Sequence, residues 1–225
     1  MQCEPVRLLR DIPFTLNRDR FNEEIRSDAY PELAGEIDRY LDRALPLAKP
    51  GALLRVAYAG ERDGERIEIG GETFESATLV RNLNEINRVF AYVATCGRPL
   101  YDLDIADLDP FASFWHETLK LMVVRSAANW LCELVRREYA VDRLSSMNPG
   151  SGDAHVWPIQ QQHELFRVLG EADSIGVELT ESALMVPDKS VSGIFFPSDR
   201  AYVNCESCTR RICPDRRAPY RARPA

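Results

Sequence analysis

The 225 residues predict an α+β fold, an antiparallel or mixed sheet packed by helices. Strand-like and helix-like segments mix without the strict β-α alternation of a doubly wound sheet. Asp63-Gly64 and Gly70-Gly71 stand between short alternating apolar runs and mark hairpin turns. A long segment from Asp109 to Val141 is apolar around most of its circumference, so it has to be enclosed rather than laid on a surface.

In chain order, Leu33, Ile37, Tyr40, Leu41 and Leu45 recur at helical spacing with Pro31 near the first turn, which predicts an amphipathic helix ended by Lys49-Pro50-Gly51. Residues 52–76 alternate through the two glycine turns and predict two or three strands. Residues 76–97 read as a helix running into a short apolar strand that stops at Cys96-Gly97. Asp109 is placed as N-cap and Pro110 as first residue of the buried central helix. Residues 145–158 read as a loop, and 159–170 as a helix closed by Gly170. Strands are predicted at "SVSGIFF" and "AYVNC", and Leu179, Leu184, Val186 and Val191 are placed in the core. The chain divides into an N-terminal helical lead (1–50), a main domain (51–204) and a Cys-rich, Arg-rich end (205–225), with no internal repeat.

Composition narrows the function classes. At 45% hydrophobic the chain can bury a substantial core, yet no window has the apolar length of a membrane span and the N-terminus lacks a signal-like run. A cytoplasmic protein is expected. The net charge of −7 argues against nucleic-acid partners, because phosphate contacts need a basic face. From Cys205 onward six Arg face only Glu206 and Asp215, and this basic end suits an acidic partner surface. Six Cys are too few for a disulfide scaffold of this length.

Three of those thiols, Cys205, Cys208 and Cys213, form a C-x2-C-x4-C-P run, the spacing of zinc knuckles and cluster loops. An iron–sulfur cluster, a zinc ion or unligated thiols all remain open. Cys3, Cys96, His155, His163 and Asp215 are candidates for a fourth ligand, and Arg210 and Arg211 place positive charge beside the sulfurs. Asp153, His155 and His163 read as surface residues rather than an acid/base set. Cys96 and Cys132 read as buried, inert thiols.

The last third carries a joined pattern: "NPGSGDAHVWPIQQQHELFRVLG", then "ELTES", "VPDKSVSG" and "AYV". It resembles the S-adenosylmethionine-binding reactivation domain of cobalamin-dependent methionine synthase, and more closely the free-standing versions of that domain. Residues 50 to 130 match more loosely. The resemblance implies a curved antiparallel or mixed sheet with packed helices. It also implies a corrinoid protein or cobalamin-dependent methyltransferase as partner, whose corrinoid is capped while cob(II)alamin is reduced to cob(I)alamin, with S-adenosylmethionine as methyl donor. By the same resemblance the ligand loop falls at Ser146, Pro149, Gly150 and Ser151, with Asn129 in the central helix and Tyr202 late in the chain. Ser146 stands where the family has Arg, Ser151 where it has Tyr, and Asn129 where it has Glu. Weak or absent binding of S-adenosylmethionine is therefore expected, since charge-assisted contacts of about 1.5–3 kcal/mol each are missing. Two alternatives stand beside this reading: an iron–sulfur or zinc module on the same fold without a corrinoid role, and an S-adenosylmethionine-dependent methyltransferase.

Overall fold

The computed structural model describes residues 2–10, 12–152, 156–199, 202, 204–213, 216 and 218–220. Its centre is a seven-stranded antiparallel sheet. Strand β1 (Arg7–Leu9) and helices α1 (Arg18–Ile25) and α2 (Ala34–Ala44) precede the long strand β2 (Gly51–Asp63). The two glycine turns then fold β3 (Arg66–Ile69) and β4 (Glu72–Glu75) back as a meander. Gly70 and Gly71 take φ of +63° and +91°, the left-handed pair that a two-residue hairpin with the right twist demands.

Helix α3 (Ala77–Asn82), capped by the Ser76 hydroxyl accepting from Leu79 N–H, leads into β5 (Arg88–Thr95). A single turn, α4 (Arg98–Tyr101), and the 27-residue α5 (Ala112–Glu138) follow. Then come β6 (Leu144–Met147), α6 (Gln162–Leu169), the small hairpin β7 (Glu178–Leu179) with β8 (Met185–Val186), and β9 (Ser190–Pro197). The path across the sheet is β4-β3-β2-β5-β9-β6, with β1 on the first half of β2.

Strand alternation sorts the core. Val89, Ala91 and Val93 of β5 face Leu165, Val168 and Leu169 of α6, whereas Phe90, Tyr92 and Ala94 face Ala127, Leu131 and Leu134 of α5. The N-terminal half of α5 lies instead against α1 and α2, through Trp115, Leu119 and Val123 packed with Phe21, Ile37 and Leu41. Partners on both sides explain why α5 is apolar around most of its girth.

Several sequence expectations need correction. The central helix begins at Ala112, and Asp109 caps the preceding turn by accepting from Phe111 N–H at 2.8 Å. Residues 144–147 form a strand inside what reads as a loop, because two serines and a following Asn-Pro-Gly hide the pattern. Tyr202 is not in a strand, and Asn204–Ser207 form a 3-10 turn, so no strand runs through "AYVNC" among the described residues. Leu184, at the tip of the β7–β8 hairpin, is 56% exposed rather than in the core. The lead also holds a strand, β1, that patterning does not mark.

His116 is buried on α5, with its Nδ1 3.2 Å from the Tyr40 hydroxyl. Burial, reinforced by the Lys120 ammonium, pushes its pKa below the ordinary 6.5. The unfolded chain therefore binds more protons as pH falls below about 6.5, and folding stability drops until the folded imidazole itself titrates. Above that window the contribution is constant. His116→Gln should remove this part of the acid-side slope in urea midpoints measured across the window, and an unchanged slope would exclude His116 as its source.

Candidate functional site

A cavity of about 540 Å³ opens between α5, the β5–β9–β6 side of the sheet and the loop entering β9. Residues one helical turn apart on α5, Arg125, Asn129 and Cys132, form one wall. Ser145 and Ser146 of β6 supply a second, and Asp188, Lys189 and Ser190 a third. On the sheet side Tyr92 of β5 and Phe195 of β9 lie stacked, with centroids 4.0 Å apart and planes 5° apart, and present a flat aromatic surface.

Asn148 sets the geometry beside that surface. Its side-chain amide donates to the Tyr92 hydroxyl at 2.8 Å and to the Ser192 carbonyl at 2.7 Å. The approach is possible because residue 193 is Gly: a Cβ there would overlap the Met147 carbonyl and the Asn148 amide. Gly193→Ala should push Asn148 off Tyr92 and cost about 1–3 kcal/mol of stability. A urea midpoint identical to wild type would show that the β6–β9 contact yields without loss.

Two hydroxyls of residues that line the cavity, Ser190 Oγ and Tyr202 Oη, are buried without a hydrogen-bond partner among the described residues. A buried orphan of this kind costs about 1–3 kcal/mol, so both are placed for a guest with polar atoms. The end wall is charged. Lys189 Nζ donates to Asp188 at 2.7 Å and to Glu117 at 2.6 Å, and the buried Lys120 donates to Glu117 at 2.6 Å. Burial alone would lower the Lys189 pKa, but the hydrogen bonds to Asp188 and Glu117 outweigh it and keep the ammonium charged. Burial likewise raises Glu117, and the bonds from Lys120 and Lys189 more than reverse that.

Of the residues singled out in the sequence, Asn129, Ser146 and Tyr202 meet in this cavity. Pro149, Gly150 and Ser151 do not line it and form the turn behind it. There Gly150, at φ +72°, donates its N–H to the Trp157 carbonyl at 2.8 Å, and a Cβ would press on Ile159. Sequence reading missed Tyr92, Arg125, Asn148, Lys189 and Phe195. Only "SVSG", with its glycine in a strand, hinted at a close backbone approach.

Cys96 is fully buried, and burial pushes its thiol up to about 12. Cys132 is only half-buried and lines the cavity, which corrects its reading as a core thiol; burial raises its pKa as well. His163 on α6 has Nε2 3.3 Å from the Glu181 carbonyl, and Cys3 packs at Gly70. Asp153, His155 and Asp215 lie outside the described residues. Among the described residues no three His, Cys, Asp or Glu side chains are gathered as a metal-ligating group, and no helix is long and apolar enough to cross a membrane.

Comparison with known proteins places this geometry. The structure is similar to one described as "Crystal Structure of the MetH Reactivation Domain bound to AdoHcy", with a TM-score of 0.61 and 18% identity over 89% of this chain and 81% of that one. That likeness shows the fold. No curated protein matched the sequence. Residues 106–223, just over half of the chain and including α5 and the cavity's other walls from β6 onward, match the family described as "Vitamin B12 dependent methionine synthase, activation domain". The chain belongs to the activation-domain family of vitamin B12-dependent methionine synthase.

Proposed function

We propose that this protein caps the corrinoid of a partner, a corrinoid protein or cobalamin-dependent methyltransferase, and supports the return of inactive cob(II)alamin to cob(I)alamin. The reduction takes one electron at cobalt, supplied by an external donor, while this chain orients the corrinoid and shields it from water. The observation that carries the reading is the convergence of Asn129, Ser146 and Tyr202 on one cavity. These are positions where the resemblance places ligand contacts, and here they lie within a family member's fold.

The side chains at those positions do not fit S-adenosylmethionine as the resemblance would have it bound. Ser146 offers no bidentate cation for a carboxylate, and Asn129 offers no anion for a sulfonium. The charges that line the cavity stand at other positions, Arg125 one helical turn before Asn129 on α5 and the Asp188–Lys189 pair on the third wall. No methyl-transfer step is assigned to this chain on that basis. The orphan hydroxyls Ser190 and Tyr202 and the aromatic surface remain to meet a polar, flat guest.

The test is reduction of a cob(II)alamin-loaded corrinoid protein by a chemical reductant, followed by absorbance with and without this chain. Faster or more complete formation of cob(I)alamin is expected, together with a complex on gel filtration that weakens as salt screens the basic end. No complex and no change in the extent or rate of reduction would overturn the reading.

A further inference from the structure

The backbone of the C-terminal thiol segment is gathered around a side chain that sequence reading passed over. Cys205, Cys208 and Cys213 are half-buried and in no disulfide. The Arg216 guanidinium sits among their carbonyls. Nη1 donates to the Cys205 carbonyl at 3.1 Å and to that of Ala218 at 3.3 Å, and Nη2 donates to the Cys208 carbonyl at 3.4 Å and to that of Arg210. The Arg216 N–H donates to the Cys213 carbonyl at 3.2 Å, and Cys208 N–H donates to the Cys205 carbonyl at 3.3 Å. The segment is thus wound around one arginine. Cys205 and Cys208 share a single tight turn, and Cys213 is tied to the same residue.

Charge adds a second argument. Among the described residues Arg216 makes no ion pair, and its guanidinium is met by carbonyl oxygens alone. Arg210 and Arg211 stand exposed on the same loop. Positive charge concentrated on one short loop repels itself and gains from an anion held on that loop. Three thiolates on a dication, whether a zinc ion or the oxidised core of a four-iron cluster, carry one net negative charge and leave one position on the metal open.

We propose that Cys205, Cys208 and Cys213 hold a thiophilic metal centre, a zinc ion or an iron–sulfur cluster, on a loop positioned by Arg216. The three sulfurs are not gathered as a ligating group in this structure, and metal binding closes the loop that Arg216 organises around them. The centre is a property of this chain by itself and stands whether or not the corrinoid reading holds.

The experiment uses the full chain without any corrinoid. Metal-free protein is treated in one arm with zinc ion and in the other, without oxygen, with ferrous iron and sulfide. It is then desalted, assayed for metal and sulfide, and alkylated in the native state with peptide-level mass readout. Retention of zinc alone identifies a zinc site. Iron and sulfide in comparable amounts, with a brown colour, identify a cluster. In either arm the three thiols should become protected, while Cys132→Ser retains full loading. Cys208→Ser should lose metal, and Arg216→Ala should weaken retention at least tenfold, with circular dichroism and the urea midpoint of the core unchanged in both. Neither metal retained, loading unaffected by Cys208→Ser, or alkylation of the three thiols as rapid with metal as without would overturn the proposal.

Discussion

Trp157→Ala should lower the unfolding free energy by about 3–5 kcal/mol, a large fraction of the roughly 5–15 kcal/mol that a folded domain commonly has. The indole is fully buried, edge-on to Phe74 at 5.7 Å between centroids, in the core layer that joins α6 to the sheet. Its removal leaves a cavity that neighbouring strands cannot close without moving β4. The same residue's carbonyl anchors Gly150, so the turn behind the cavity should loosen as well. Urea unfolding measures the loss, and faster hydrogen exchange at Gly150 N–H reports the loosening. Trp157→Phe, which keeps an aromatic body in place, should recover more than half of the stability. A loss below about 1 kcal/mol would mean that the indole is not packed as described.

The second large effect concerns affinity. The double variant Ser146→Arg with Asn129→Glu places a guanidinium on β6 and a carboxylate on α5, both facing the same cavity. Each restores a charge-assisted contact of about 1.5–3 kcal/mol, roughly tenfold to hundredfold in the dissociation constant for S-adenosylmethionine. Calorimetry should find weak or no binding to the natural chain and clear binding to the double variant. The reverse outcome, tight binding to the natural chain and loss on substitution, would show that Arg125, Asp188 and Lys189 already supply the charges by another arrangement.

The residues that announced themselves in the sequence share one physical trait: their local chemistry allows few conformations. Gly64, Gly70 and Gly71 fix turns because left-handed backbone is cheap only for glycine, and Ile37, Tyr40 and Leu41 fix α2 because only a helix puts them on one face. Strand β6 was illegible because Leu144, Ser145, Ser146 and Met147 carry no strand signal of their own and become a strand only by pairing with β9. The N-terminal strand β1 is three residues long and leans on β2 in the same way. For the cavity, Asn129, Ser146 and Tyr202 were found through resemblance, whereas Tyr92 and Phe195 belong to strands that look like ordinary core. Their stacking is a fact of register, since Phe195 lies diagonal to Tyr92 across the β5–β9 ladder. Arg216 escaped notice because a guanidinium wrapped by carbonyls leaves no periodic trace.

The β5–β9 ladder also governs the order in which the molecule can assemble. It joins Phe90 to Phe195 and Thr95 to Ser190, positions about a hundred residues apart, so the loop it closes is among the slowest and most costly in entropy to form. The β2–β3–β4 meander and the α-helical segments can form on local contacts long before. The cavity, with walls at Tyr92, Asn129, Ser146 and Lys189, exists only once that last closure is made. Whatever occupies it therefore binds the finished chain and no partly folded form. Its binding energy is returned in full as protection against global unfolding, growing as the logarithm of its concentration above the dissociation constant.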